Sequence, residues 1–500
     1  MAEFFKKNRQ MLGFSSKVRS LTTAVHEYVT NALDACEEAG ILPDIYVKLE
    51  RIDEDKYVLT VRDSGPGIPP KIVPRVFGKL LAGTKFHRMI PSRGQQGIGA
   101  AGVTLFAQMT TGQPVHVKTG EGDGVVFEMD IKIDVNKNEP IVLNKRSYID
   151  YDWRGTEVTA TLGEVSYNRG KYSVYEYLWR TALANPHAQI VFVDPDGKRH
   201  VFYRTSFEPV HMAKEAKPHP LGVTTDDLLT IAKRTKARTV ANMFLREFQA
   251  FGKKALNELR AEVGDLLDKK PSELEWNEAE CIVKAMRKIK FRAPSTDVLI
   301  TIGADKLRAS LRSNLKPKFL AVVERPPRVY RGGIPFQVEA AVAIGGEIKG
   351  FDIYRYANRS PLLFDSGACA ITEAVNSIDW KRYGIQDLKQ APLIIFVNVV
   401  STHIPYTSAG KQAIADVPEV MKELRYALMD VARKVREYMT KVNTYQELLH
   451  KKKILDHYLP EVASAFAKIL EKPESDIRQI LEQAIAEKYK KLEELMKVVG

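Results

Sequence analysis

Three short segments between residues 26 and 102 constrain this chain more than anything else in it. They are His26-Glu27-Tyr28-Val29-Thr30-Asn31-Ala32-Leu33-Asp34-Ala35, Asp63-Ser64-Gly65-Pro66-Gly67 and Gly94-Gln95-Gln96-Gly97-Ile98-Gly99-Ala100-Ala101-Gly102. In the first, Val25, Val29, Ala32 and Leu33 recur at helical spacing, while Glu27, Asn31 and Asp34 fall at i, i+4 and i+7 on another face. Asn31 offers a carbonyl oxygen of the kind a hard, octahedral magnesium ion takes alongside waters and phosphate oxygens. Glu27, one turn earlier, is placed to orient and deprotonate a water attacking a phosphate. Taken alone, the same pattern equally fits an amphipathic helix with a solvated acidic face.

The second segment closes an alternating run, Tyr57 to Arg62, which predicts a strand ending where Gly65 and Gly67 permit a tight turn. A carboxylate at that strand end, Asp63, can accept from an exocyclic amine such as adenine N6; an ordinary Asp-Ser-Gly turn explains the residues as well. The third segment places four glycines in nine residues ahead of the apolar stretch Val103 to Ala107. Successive backbone N–H groups in such a loop, with a helix N-terminus behind them, make an anion nest. It is not a P-loop, because Gly-x-x-x-x-Gly-Lys-Ser/Thr occurs nowhere and Gly78-Lys79 is followed by Leu80.

In order and spacing the set resembles the ATPase superfamily shared by gyrase, the large heat-shock chaperones, sensor histidine kinases and mismatch-repair ATPases. That resemblance implies an α/β-sandwich domain closed around ATP and Mg2+. It assigns Glu27 to water activation, Asn31 to magnesium, Asp63 and Gly67 to the adenine turn, and Gly94, Gln95, Gln96, Gly97, Ile98, Gly99, Ala100 and Ala101 to the phosphates. Thr84 and Lys85 fall in its lid, and Gly155-Thr156-Glu157-Val158 fits its closing Gly-Thr element, with Thr156 at the nucleotide. Over its whole length the chain is similar to the B subunit of DNA topoisomerase VI, a type IIB enzyme. The similar segments are Leu21 to Glu27, Gly40 to Pro43, Phe77 to Leu81, Trp380-Lys381-Arg382-Tyr383-Gly384 and Ser408-Ala409-Gly410-Lys411-Gln412-Ala413. The last two resemble the transducer domain, which implies that Lys411 reaches the γ-phosphate, where an ammonium offsets developing charge.

At 500 residues the chain is long enough for about three domains of roughly 150 residues. A net charge of +13 fits a polyanionic partner or merely a basic solvated surface. Cys36, Cys281 and Cys369 lack metal-ligand spacing and fit a reducing cytoplasm, and no run of eighteen apolar residues spans a membrane.

The expected fold class is α+β. Residues 1–15 form an N-terminal strap, with Phe4, Phe5, Met11 and Phe14 among basic residues, which by resemblance docks on a partner protomer. Residues 16–220 form the ATPase domain, with strands at 45–50, 57–63, 115–118, 125–131, 157–162 and 189–193 in a largely antiparallel sheet carrying helices on one face. Residues 221–296 correspond to the family's helix-two-turn-helix insert, with helices at 226–235, 239–248 and 277–289. Lys253, Lys254 and Arg260 in it are either DNA-phosphate contacts or solvated spacer residues. Residues 297–450 form the α/β transducer, with strands at 297–302, 336–344 and 393–400 and a long helix from about Asp416. Residues 451–500 form a helical tail interrupted at Pro460, resuming as one amphipathic helix over 471–498.

His26-Glu27-Tyr28-Val29-Thr30 begins like the zinc-protease motif, but the second histidine is replaced by Thr30. Asp194-Pro195-Asp196-Gly197 has the spacing of an acidic metal cluster, yet it lies between two short strands and reads as a hairpin turn. The resemblance therefore implies an ATP-operated clamp: a homodimer of B subunits formed on ATP binding, working on double-stranded DNA with a separate DNA-cleaving A subunit in an A2B2 heterotetramer. The alternative is a chaperone- or mismatch-repair-like ATPase clamp without strand passage.

Overall fold

The computed structural model describes residues 3, 7–82, 91, 93–94, 97–210, 216–408 and 410–499. Ser16 caps the first long helix, α1 (Lys17–Glu38), by accepting from the Arg19 N–H, and Leu21, Val25, Val29 and Leu33 form its buried stripe. Strands β1 (Asp44–Asp53) and β2 (Lys56–Asp63) follow, then the short helix α2 (Val73–Gly78) and α3 (Gly99–Thr111). Next come β3 (Val115–Gly120), β4 (Val125–Asp134), β5 (Glu139–Ile149), β6 (Gly155–Leu162), α4 (Val174–Ala184), β7 (Gln189–Val193) and β8 (Arg199–Phe202). They make an eight-stranded sheet in the order β5-β4-β3-β6-β2-β1-β7-β8, antiparallel throughout except for β1 against β7. Alternate residues such as Val47, Leu59, Val61, Val117 and Ala160 pack against Val25, Val29 and Val103 of the helices.

A second core is wholly helical, built from α5 (Thr225–Arg234), α6 (Val240–Glu247), α7 (Lys253–Val263) and α8 (Trp276–Met286) around Leu228, Phe244, Leu259 and Ile282. On α7, Arg260 is held by a two-pronged pair with Asp268 at 2.6 and 2.8 Å, whereas Lys254 is 92% exposed at its side chain.

The third region holds α9 (Ala304–Leu315), β9 (Phe319–Glu324), β10 (Arg328–Tyr330), β11 (Ile334–Ile344), β12 (Asp352–Ala357), β13 (Ser360–Pro361), α10 (Ala370–Asn376), β14 (Leu393–Ser401) and α11 (Pro418–Leu470). Its six-stranded sheet runs β10-β11-β14-β12-β13, with β9 also pairing β11. The stripe Val420, Leu424, Leu428, Val431 and Val435 of α11 is buried against it. The chain ends in α12 (Glu474–Lys488) and α13 (Lys491–Val499). Leu183 and Ala184 of α4 share a buried cluster with Leu307, Ala341 and Phe396, so the first and third regions are packed together.

Three expectations change. Residues 297–302 form no strand: the N–H groups of Ile302 and Gly303 donate to the buried Glu339 carboxylate instead of to a neighbouring strand. Helix α11 runs through Pro460, whose flanking Leu459 and Ala463 are buried, so packing on both sides outweighs the missing N–H. The tail beyond it is two helices, broken at Tyr489, rather than one. The described end of the strap makes contacts within its own chain: Phe14 is buried and stacks on Phe106 at 4.4 Å, and Arg9 pairs with Glu164. An apolar groove beside α3 already satisfies Phe14; Phe4 and Phe5 lie outside the described residues. The hairpin turn at 194–197 joins β7 to β8 as expected.

Candidate nucleotide site

The site forms where the C-terminal end of β2, the helix α1 and the start of α3 converge. Glu27 of α1, Ile98 and Gly99 at the start of α3, and Lys411 from the loop before α11 line one cavity of about 20 Å3, together with Leu12, Phe14 and Gly102. That volume suits about one water molecule. A Cβ added at Gly99 would lie 1.8 Å from Glu27 Oε2, so any larger residue here would push the carboxylate aside. A Cβ at Gly94 would lie 3.1 Å from Asn31 Oδ1, which places the carboxamide against the glycine loop.

Lys411 is buried, with its Nζ donating to the Arg93 carbonyl at 3.3 Å. Its φ of +52° is left-handed, a conformation costing a lysine of order 1–3 kcal/mol and found most often at working sites. A residue from the third region thus completes a cavity begun by residues near the N-terminus.

At the other end, Asp63 Oδ1 accepts from the N–H groups of Gly65 at 2.8 Å and Thr156 at 3.2 Å. Burial pushes its carboxyl up to about 6 against those two donors. Gly67 has a φ of +76° and a Cβ there would meet the Gly120 carbonyl at 2.4 Å, so the turn sits directly on β3. Thr119 joins this end, with its hydroxyl 3.3 Å from that of Thr156 and accepting from the Ile68 N–H at 2.8 Å.

Gly97 and Ile98 precede the first turn of α3, and Ala100 and Ala101 are buried in it with their methyl groups in the core. Any contact these alanines make with a phosphate therefore comes from the backbone. Thr84, Lys85, Gln95 and Gln96 lie outside the described residues.

Sequence reasoning missed the charged cluster beneath the glycine loop. Arg93 donates to Asp34 at 2.8 Å, to both oxygens of Glu37 at 2.8 and 3.1 Å, and to Asn185 at 2.5 Å. Arg359, 322 positions from Glu37, donates to the same two carboxylate oxygens at 3.0 and 2.7 Å, and His187 Nε2 is 2.8 Å from Glu37 Oε1. Burial pushes the Glu37 carboxyl up, but Arg359 and Arg93 outweigh it and hold the group well below its usual range. Asp34 and Glu37 continue the polar stripe of α1, the only trace of this cluster in the sequence. Asp34 is therefore a buried partner of Arg93 and not part of a solvated face.

A two-layer sheet-and-helix domain with a glutamate and an asparagine on its first helix, an aspartate turn after β2 and a glycine loop before α3 defines the class: residues 16–135 match the family described as histidine kinase-, DNA gyrase B- and HSP90-like ATPases. Residues 294–451 match the transducer of the topoisomerase VI B subunit. The chain is 44% identical to the B subunit of type 2 DNA topoisomerase 6 from Thermococcus kodakarensis, covering 98% of this chain and 94% of that one. It is 45% identical to the corresponding protein of Pyrococcus horikoshii, at the same coverage, and 46% identical to that of Methanothermobacter thermautotrophicus, covering 96% of this chain and 94% of that one. The chain belongs to the topoisomerase VI B subunit family and carries its ATPase and transducer regions. No helix among the described residues is long and apolar enough to cross a membrane.

Proposed function

We propose that this chain is the ATP-hydrolysing clamp subunit of a type IIB topoisomerase, in which ATP-dependent dimerisation of two copies couples hydrolysis to passage of one DNA duplex through a break made by an A subunit in an A2B2 assembly. Supercoil relaxation and decatenation follow from that passage, and the cytoplasm is the compartment such an enzyme needs to reach DNA. The carrying observation is the cavity shared by Glu27, Gly99 and Lys411, because it joins the nucleotide domain to the transducer. The domain limits at 16–220, 221–296, 297–450 and 451–500 belong to this reading, as does the strap of residues 1–15.

The donor set fits a magnesium nucleotide: glycines whose added Cβ atoms would strike Glu27 and approach Asn31, a carboxamide oxygen, a carboxylate and a lysine. Asn31 would hold the magnesium ion, which neutralises phosphate charge when bound. Glu27 accepts the proton of the attacking water, and Lys411 stabilises negative charge on the γ-phosphate oxygens as the bond to ADP breaks. Asp63 Oδ2 accepts from the adenine amine, with Thr84, Lys85, Gln95 and Gln96 completing the cover over the phosphates.

ATP-dependent relaxation of supercoiled plasmid after addition of a DNA-cleaving A subunit tests the reading. ATP turnover without relaxation by any tyrosine-bearing partner that copurifies with the chain would favour a clamp that does not pass DNA.

A pH dependence follows from Asp63. Its folded-state carboxyl titrates at about 6, above the ordinary 3.8, so folding binds a proton between these values and Asp63 disfavours the folded state increasingly as pH rises through them. The ionised carboxylate is the stronger acceptor from the adenine amine. ATP affinity is therefore expected to fall as pH drops from 7.5 through 6, and Asp63→Asn should remove that dependence; isothermal titration at several pH values checks it.

A further inference from the structure

We propose that Arg359 is a positioning residue for ATP hydrolysis, acting through Glu37 and Arg93 on the glycine loop and on the resting place of Lys411. The inference rests on the nucleotide reading above and gives the transducer a second, indirect hold on the phosphate site.

Arg359 stands at the tight β12–β13 turn, where Asn358 and Arg359 both have positive φ, +47° and +65°. Its side chain leaves the transducer sheet and ends on both oxygens of Glu37 in α1. Its backbone is held as well: the carbonyl accepts from Asn185 Nδ2 at 3.1 Å and the N–H donates to Asn398 Oδ1 at 3.0 Å. Asn398 in turn donates to Glu339 at 2.7 Å, the carboxylate that holds the start of α9. One arginine thus joins α1, α4 and the centre of the transducer sheet.

On the far side of Glu37, Arg93 completes the link. Its guanidinium shares Glu37 with Arg359, its carbonyl accepts from Lys411 Nζ, and its neighbour Gly94 donates its N–H to Asp34 Oδ2 at 3.2 Å. A phosphate oxygen that draws Lys411 or the Gly94 N–H toward itself must take each from a partner fixed by this cluster. The relevant side chains of Arg93, Arg359, Glu37 and Asp34 are all buried, so water does not screen the contacts and a displacement at one is felt at the next. Arginine suits the position because its planar fork meets a carboxylate at two points, whereas lysine supplies only a point charge.

Arg359→Gln keeps Glu37 paired with Arg93 and His187 while cutting the tie to the transducer. We expect full-length Arg359→Gln to lose about ten- to a hundredfold in kcat for ATP hydrolysis, the scale of a small misplacement in an active site, with KM for ATP changed far less. Arg359→Lys should recover part of that loss, since it restores the charge and not the fork. Rates are normalised to sites that bind a fluorescent ATP analogue, so a loss of folded protein does not imitate the effect. A kcat within about twofold of wild type for Arg359→Gln, well short of the misplacement scale, overturns the proposal. If that variant does not fold, wild-type kcat and KM in Arg359→Lys overturn it equally. Wild-type protein that hydrolyses no ATP would overturn the nucleotide reading itself, and this inference with it.

Discussion

Replacing Glu27 by alanine is expected to lower ATP turnover by about 10²–10⁴-fold, the usual contribution of a positioned general base, while nucleotide binding survives. The truncation takes away the only carboxylate among the described residues lining the cavity shared with Gly99 and Lys411, and leaves the glycine loop, Asn31 and Asp63 as they are. Glu27→Gln is the stricter variant. It keeps the volume packed against Gly99, where a Cβ would come within 1.8 Å of the carboxylate, yet cannot accept the proton. Steady-state hydrolysis measured beside equilibrium binding of a non-hydrolysable analogue separates the two effects. Full turnover in either variant would remove Glu27 from the chemistry.

The largest stability effect is expected at Glu37. Glu37→Ala leaves the buried guanidiniums of Arg93 and Arg359 facing each other without the carboxylate both grip, and breaking a buried pair in this way costs about 3–5 kcal/mol. Urea unfolding followed in the full chain checks the value; a loss under about 1 kcal/mol, the range of exposed pairs, would show that water reaches the cluster. The pH behaviour has a definite sign. Because the folded-state value of Glu37 is depressed below its ordinary 4.5, its contribution is complete above that pH and is lost as pH falls toward the folded value. Wild-type protein should therefore keep this contribution through neutral pH, and Glu37→Gln should lose it at every pH.

Much of the ATPase sheet was legible because its strands alternate cleanly, as in Ile45, Val47 and Leu49 of β1 and in Leu59 and Val61 of β2. Strand β5 was not, since it lies at the sheet edge with most of its residues exposed and shows no buried alternation to read. Residues 297–302 look like a strand by composition, but the Leu299 N–H turns back to the Thr296 carbonyl and those of Ile302 and the following Gly303 go to Glu339, 36 positions from Gly303. Pro460 gave a local signal for a break that packing at Leu459 and Ala463 overrode.

Local spacing marked the parts of the candidate site. The i, i+4, i+7 stripe placed Glu27, Asn31 and Asp34 together on α1, the strand-ending turn positioned Asp63, and the glycines marked where backbone comes close to side chain. Only the tertiary structure decided which charges meet. Arg93 and Arg359 carry no periodic signal, Glu37 shows only as a continuation of the α1 polar stripe, and a buried ion pair is specified by where two distant segments are brought together by packing, not by the residues beside each partner. The same reason separates the two transducer residues: Lys411 was singled out through the resemblance of Ser408 to Ala413 to the transducer family, whereas Arg359 became visible only once the β12–β13 turn lay against α1.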